Sequence, residues 1–228
     1  MLVDAPHIVD VEFLPKGLHD LGVERMRPRL QERIDAAEAR AYDAILLAYG
    51  LCNNGTVGLV ARHAPLVIPK AHDCITLFLG SRARYRTEFD GHPGTYYRTS
   101  GWIEREDPRG TGEVTISERM GLLTPYDDLV RQYGEENAAY LQEMLGGVSH
   151  YNRLVYINMG IPCDERFRAQ ARHEADERQW QFEELTGDPT LLRKLLYGDW
   201  DENFLVVPPG STLKPSLDEQ VLTVAPAG

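Results

Sequence analysis

The sequence predicts an α/β fold, with a doubly wound and mainly parallel sheet that carries helices on both faces. Apolar runs of strand length alternate with amphipathic stretches along the 228 residues, as in chains built from βαβ units. The run AILLAYG (44–50) is almost entirely apolar, which is typical of a central parallel strand that is covered on both faces. Residues 91–150 break the alternation, and we expect them to form an inserted hairpin and helix region.

The start of the chain predicts a strand followed by a helix. HIVDVEFL (7–14) has the alternating character of a strand. Leu30, Ile34 and Ala37 then recur at helical spacing with charged residues between them. We therefore expect an amphipathic helix that ends near Ala41.

The middle of the chain continues the same pattern. The strand at 44–50 is followed by a loop signal and by a second apolar strand, PLVIP (65–69). Asp73 is a suitable N-cap for a helix through residues 74–89. Beyond it the pattern predicts helices at 126–146, 164–180 and 189–197, and strands at 153–160 and 204–210.

These elements predict a single α/β domain over residues 1–210, with 91–150 as an insertion or cap. Residues 211–228 are rich in proline and small side chains. We expect them to form a C-terminal tail.

Composition limits which partners and which cellular compartment we expect for the protein. The net charge of −11 argues against a nucleic-acid partner. No apolar run approaches the roughly 20 residues of a membrane span, and the N-terminus lacks the features of a signal peptide. Three cysteines, an odd number, do not make a disulfide framework. We therefore expect a cytoplasmic protein, without a membrane partner, whose thiols are free or bound to metal.

Each of the three cysteines follows an apolar run. Cys52 follows AILLAYG, Cys74 follows PLVIP, and Cys163 follows RLVYINMG. The carboxyl ends of parallel strands form one edge of a sheet, here called the carboxyl edge, where ligands bind in open α/β folds. A single cysteine is often only a small buried hydrophobic residue. Three cysteines that are all expected at one edge of a sheet indicate a functional site.

The densest cluster is Ala71-His72-Asp73-Cys74. A cysteine in the first turn of a helix lies near unpaired N–H groups, which favour the thiolate that attacks substrates or binds metal. His72 is a candidate base or ligand, and we predict that His72 and Asp73 are the catalytic residues. Gly50, Asn53 and Gly55 surround Cys52, and the two glycines predict close backbone approach to a cofactor.

No compact metal motif accompanies these residues, because the sequence has neither a CxxC pair nor zinc-ribbon spacing. A site assembled from separate loops needs no such motif. Soft thiolates select zinc, copper(I) or iron–sulfur clusters. We therefore expect Cys52, Cys74 and Cys163 to be metal ligands, with an iron–sulfur cluster as the cofactor and zinc as the alternative.

Several blocks resemble one known family. YGLCNNG, IPKAHDCITLFLGSRARY, GTYYRTSGWIE, FLVVPPG and EFLPKGLHD are similar to the bacterial and archaeal family called domain of unknown function 1638, over roughly residues 7–210. The family has no established activity, but its genes often lie beside corrinoid-dependent methyltransferase systems. The resemblance therefore implies one-carbon metabolism, with a small molecule or a corrinoid-system protein as partner.

The chain departs from that family at its start. Family members begin with another strand that carries a cysteine, and this strand has no counterpart here. Either the start is shortened or Cys163 supplies the third thiol. A shortened start would expose a sheet edge that a homodimer would cover.

Three functions stay open on the sequence alone. The first is a thiolate metal-centre protein, acting as an enzyme or accessory factor in methyl-transfer metabolism. The second is a metal-free enzyme with Cys74 as nucleophile, His72 as its base and Cys52 as a second thiol. The third is a module that binds a small anion through backbone N–H groups without chemistry.

Overall fold

The computed structural model describes residues 4–14, 18, 22–52, 54–106, 130–131, 134–135, 137, 151–162, 164–216, 218 and 220–227. The helices in this part of the chain are α1 (Val23–Glu38), α2 (Cys74–Leu79), α3 (Arg82–Gly91), α4 (Ser100–Glu106), α5 (Asp164–Glu177) and α6 (Thr190–Tyr197). The strands are β1 (Ile45–Leu46), β2 (Val60–Ala61), β3 (Leu66–Pro69), β4 (Thr95–Arg98), β5 (Arg153–Asn158), β6 (Gln181–Thr186), β7 (Phe204–Val207), β8 (Ser211–Pro215) and β9 (Leu222–Pro226). None of the helices in these ranges is both long and apolar enough to cross a membrane.

The chain forms two compact units. The first unit comprises Met1–Thr87 and Gly187–Gly228, and the second comprises Glu88–Thr186. The prediction of one domain over 1–210 stays a prediction.

The first unit contains two small sheets. One has the strand order β1-β3-β7, in which β1 is parallel and β7 antiparallel to β3. The other has the order β2-β8-β9 and is antiparallel. All four residues of β3 are buried, as expected for a strand with a neighbour on each side and packing on each face.

The two faces of β3 pack against different helices. Leu66 and Ile68 lie in a core with three α1 side chains that are spaced four residues apart, Met26, Leu30 and Ile34. Val67 points to the opposite face, where α2 and α6 contribute Leu77, Leu191 and Leu195. Alternation along the strand therefore directs successive side chains into two separate cores.

The second unit is built on a parallel sheet with the order β4-β5-β6. Leu154 and Tyr156 of β5 are fully buried against Ala171 and Ala175 of α5. Small side chains on α5 permit this close helix–sheet packing. Arg98, at the end of β4, forms two hydrogen bonds of 2.8 and 2.9 Å with Glu174 of α5.

The mixed α/β class is thus confirmed, but the described strands are divided among three sheets of three strands each. The predicted single, doubly wound and mainly parallel sheet is therefore not confirmed. Strand β7 instead runs antiparallel to β3, pairing Val207 with Leu66 and Phe204 with Pro69. Strands β8 and β9, in the segment that was predicted to be a tail, form a sheet with β2.

Two local expectations differ from the structure, and a third falls mostly outside the described residues. Residues 7–14 form no strand. The helix expected through 74–89 is interrupted at Gly80, whose φ of 78° ends α2 in the left-handed region. Of the expected insertion at 91–150, the ordered elements described are β4 and α4, and most of the predicted helix at 126–146 lies outside the described residues.

Candidate functional site

Parallel pairing of β1 with β3 brings Cys52 next to the HDC cluster. The register aligns Ile45 with Leu66, and the pairing continues past both strand ends. The Leu51 N–H donates to the Ala71 carbonyl at 2.7 Å, and the Cys52 N–H donates to the His72 carbonyl at 2.9 Å. Both cysteine-bearing segments therefore lie side by side at one carboxyl edge.

Gly50 and Gly55 allow this loop to pack tightly. A Cβ on Gly50 would lie 2.8 Å from the Ala71 carbonyl oxygen and 3.0 Å from the Asp73 nitrogen. A Cβ on Gly55 would lie 2.5 Å from the Met26 sulfur. The space beside each glycine is filled by protein, so packing accounts for both glycines, and their part in cofactor binding stays a prediction.

Thr56 stabilises the same loop through a hydrogen bond. Its side chain is fully buried, and its hydroxyl donates to the Gly50 carbonyl at 3.1 Å. A buried hydroxyl that meets a backbone acceptor fixes the loop at little desolvation cost. The turn that presents Cys52 is therefore well defined.

Cys52 is buried in an unusual backbone conformation. Its φ of 48° lies in the left-handed region, which residues other than glycine seldom adopt. The side chain is 5% exposed and packs in the core that contains Met26 and Leu47. Glycine would adopt this backbone at lower cost, so what the position gains from cysteine is its side chain.

The surroundings of Cys52 hold it as a neutral thiol. Burial raises the pKa of the Cys52 thiol to about 11, and the negative charge of Asp73 acts in the same direction. Hydrogen bonds from the backbone of Gly50 and Cys74 oppose this rise and lower the pKa. The second of these contacts also shows that the Cys52 sulfur lies against the backbone of Cys74.

Cys74 begins α2 and is half-buried, with its side chain against the core of Val67 and Leu77. Cys52 packs in the core on the opposite face of the sheet, so the two thiols reach the carboxyl edge from different faces. Both residues are free cysteines. α2 has six residues, which leaves only a short helix behind Cys74.

Asp73 caps α2, as the sequence predicts. Its carboxylate accepts hydrogen bonds from the Ile75 N–H at 3.0 Å and the Thr76 N–H at 3.3 Å. The Tyr85 hydroxyl of α3 donates to the other oxygen at 3.1 Å. Burial raises the pKa of Asp73, whereas these hydrogen bonds and the charge of His72 lower it. Asp73 therefore has a defined structural role, and its catalytic role stays a prediction.

The His72 side chain is exposed. Its ring lies roughly parallel to that of Tyr85, with the two centroids 6.4 Å apart and an interplanar angle of 28°. The His72 carbonyl accepts the hydrogen bond from the Cys52 N–H, but the His72 imidazole faces outward beside Tyr85. A role for this ring as base or ligand stays a prediction.

Two tyrosines of the site were not predicted. Burial raises the pKa of Tyr49, and a negative charge on Cys52 or Cys74 would raise it further. Tyr85 contacts Asp73 and His72. The position of Tyr49, three residues before Cys52 in the YGLC segment, could have indicated its place in the site. Tyr85 could not be predicted, because it reaches the site through the turn at Gly80, and the sequence predicted a continuous helix there.

The described residues contain no group of three or more histidine, cysteine, aspartate or glutamate side chains that could hold a metal ion. Cys163 and Asn53 lie outside the described residues. Along the chain, Cys163 comes after β5, which belongs to the second unit. Of the predicted thiolates, the structure thus places Cys52 and Cys74 at one edge.

Comparison with known proteins gives a family. The model of "Protein of unknown function (DUF1638)" matches residues 13–196. The chain belongs to this family. The matched DUF1638 region includes the segments around Cys52, Cys74 and Cys163 and ends before β7, and it confirms the resemblance drawn from the YGLC and HDC blocks. No curated protein and no solved structure shows significant similarity to the chain.

Proposed function

We propose that this DUF1638 protein holds a soft metal centre through the thiolates of Cys52 and Cys74. An iron–sulfur cluster is the first candidate and zinc the second, because both accept thiolate ligands readily. The observation that supports this proposal is the parallel β1–β3 pairing, which continues to the Cys52–His72 hydrogen bond of 2.9 Å. It sets the two backbone segments that carry these cysteines beside each other at the carboxyl edge.

The backbone of Cys52 supports the same proposal. A left-handed φ of 48° costs of order 1–3 kcal/mol for a residue with a side chain. The surrounding loop is held by close contacts at Gly50 and by the buried Thr56 hydroxyl. A rigid loop that presents a thiol in a strained conformation is the arrangement that preorganised ligand sites use.

Two thiolates do not complete a tetrahedral site or a four-iron cluster. That Cys163 supplies a third thiolate stays a prediction, since it lies outside the described residues; the exposed His72 ring is the alternative. Tyr49 packs against the core that contains Cys52, which makes it a candidate for the outer-shell residues that tune metal ligands. The link to corrinoid-dependent methyl transfer stays a prediction, as do the homodimer and the cytoplasmic location.

Metal analysis of the whole chain tests the proposal. The protein would be reconstituted anaerobically with iron and sulfide, and separately with zinc. Cys52→Ser and Cys74→Ser should each lose most of the bound metal, while Ala48→Ser, an exposed position on the same segment, should retain it. Protein that stays colourless and free of both metals, or full metal content in either cysteine variant, would contradict the proposal.

A metal-free cysteine enzyme is the second candidate, and the difference in exposure between the thiols favours it. Cys74 is half-buried whereas Cys52 is 5% exposed, so Cys74 is the thiol that a substrate would meet. In metal-free protein, rapid alkylation of Cys74 at neutral pH, together with unchanged reactivity after metal treatment, would favour this function. If cysteine-to-serine changes instead leave the affinity for a small anion intact, the binding-module function gains support.

A further inference from the structure

The same two cysteines are placed to react with each other. The Cys52 N–H bonds to the His72 carbonyl at 2.9 Å, and Cys74 is only two residues further along that segment. Extended past the strand ends, the register of Ile45 with Leu66 sets Cys52 opposite Asp73, one residue before Cys74. A strand spacing of about 4.8 Å and a rise of about 3.3 Å per residue then give a separation of roughly 5.8 Å between the two Cα atoms, within the about 4.4–6.8 Å that a disulfide requires.

We propose that Cys52 and Cys74 form a reversible disulfide with each other, and that this bond switches off metal binding at the site. The disulfide itself depends only on the two thiols, whereas the switch rests on the proposed metal-binding function. A cysteine sulfur in a disulfide is not a thiolate and therefore cannot bind the metal. Disulfide and metal are therefore mutually exclusive states of one site.

The different exposures of the two thiols set the order of the reaction. A small peroxide reaches the half-buried Cys74 first, because Cys52 lies in the core. The Cys74 thiolate attacks one peroxide oxygen, so that an S–O bond forms, the O–O bond breaks and water leaves after protonation. Cys74 is then a sulfenic acid.

The second step closes the bond. The Cys52 sulfur attacks the Cys74 sulfur, the S–S bond forms, the S–O bond breaks, and the departing hydroxide leaves as water with the Cys52 proton. In total, two thiols are oxidised and one hydrogen peroxide is reduced to two waters. A dithiol reductant reverses the change by thiol–disulfide exchange, and the reductant itself becomes oxidised.

Tight packing around the pair favours ring closure over further oxidation. The loop at Gly50 approaches the Ala71–Asp73 backbone so closely that a Cβ would not fit. The Cys52 sulfur therefore stays next to the residue that is oxidised. Because the two side chains pack in cores on different faces of the sheet, the half-buried Cys74 side chain must leave the core of Val67 and Leu77 for the two sulfurs to meet.

Peptide mapping of metal-free full-length protein tests the disulfide directly. After one equivalent of hydrogen peroxide, the thiol content should fall from three per chain to one, with a linked peptide pair that contains Cys52 and Cys74. Dithiothreitol should restore all three thiols. The matched control, Cys163→Ser, should form the same linked pair, and Cys52→Ser should instead leave a Cys74 sulfenic acid that dimedone captures.

A second arm follows the metal. Peroxide should release metal from the reconstituted wild type, and reduction should restore binding. Linked peptides through Cys163, or oxidation of Cys74 to the sulfinic acid without any Cys52 link, would overturn the disulfide. Metal binding without a disulfide in the metal-free protein would sink this inference and leave the proposed function standing. A disulfide in a protein that binds no metal would support the pair but overturn the switch.

Discussion

Replacement of Gly50 by alanine probes the contact that brings the two cysteine segments together. The new Cβ would lie 2.8 Å from the Ala71 carbonyl oxygen and 3.0 Å from the Asp73 nitrogen. Both neighbours are backbone atoms, so neither can move aside by rotating a side chain. The two loops must separate, and the adjacent hydrogen bond from Leu51 to Ala71, now 2.7 Å long, must stretch.

The magnitude follows from these two effects. Overpacking of this kind costs about 1–3 kcal/mol, and loss of one backbone hydrogen bond adds about 0.5–1.5 kcal/mol. We expect Gly50→Ala to lower the free energy of unfolding by about 2–4 kcal/mol. Because Cys52 and the HDC cluster would move apart, metal uptake should fall as well.

Urea unfolding of wild type and variant measures this loss through the midpoint at constant slope. Gly101→Ala is the matched control, since among the described residues its Cβ would meet only the Thr99 hydroxyl, at 3.9 Å. It should be neutral or stabilising by about 0.5–1 kcal/mol, because alanine favours helix more than glycine does. A Gly50→Ala protein within about 0.5 kcal/mol of the wild type would refute the packing account of this loop.

Three further predictions concern the ionisable side chains of Cys52, Asp73 and Glu174. Because burial raises the pKa of Cys52 from 9.0 to about 11, the neutral thiol stabilises the folded state fully below pH 9 and less as pH rises through 11. Cys52→Ala should therefore remove about 2–3 kcal/mol of pH-dependent stability across that interval, as measured by urea unfolding at each pH. Asp73→Ala removes the cap of α2 and should cost about 1–2 kcal/mol. Urea unfolding would measure this cost, and Asp73→Asn should recover much of it. Glu174→Ala leaves the 7% exposed Arg98 side chain without its carboxylate and should cost about 3–5 kcal/mol in thermal or urea unfolding. Glu177→Ala, in the exposed pair on the same helix, should change stability by less than about 0.5 kcal/mol.

Several parts of the fold follow from local sequence patterns. The spacing of Leu30 and Ile34 predicts the buried face of α1, and the PLVIP run predicts the buried strand β3. The adjacency of Cys52 and the HDC cluster follows from one further assumption, that β1 and β3 are parallel neighbours. That assumption holds.

Other parts depend on tertiary pairing that no local pattern specifies. The apolar FLVV of β7 would suit a parallel or an antiparallel neighbour equally, and the structure makes it antiparallel. β6 has mostly exposed side chains, so it lacks the apolar run that marks a buried strand. The segment 7–14 alternates like a strand, yet it leaves Ile8 and Phe13 largely exposed and is unpaired within the described residues.

The candidate site shows the same division. Asp73 as a helix cap was predictable, because aspartate before an apolar helix start has a specific hydrogen-bonding role. Tyr85 was not, because its approach to Asp73 depends on the left-handed turn at Gly80. The sequence also could not show that Cys52 and Cys74 pack in cores on different faces of the sheet.

X-ray absorption at the metal edge of the reconstituted protein tests the central claim most directly, because it counts sulfur ligands around the bound ion. With zinc, we predict a shell that includes sulfur at about 2.3 Å, with one sulfur fewer in Cys52→Ser and one fewer in Cys74→Ser. Ala48→Ser should leave the shell unchanged. A wild-type shell made only of nitrogen and oxygen, or an unchanged sulfur count in either cysteine variant, would contradict the assignment of these thiolates as metal ligands.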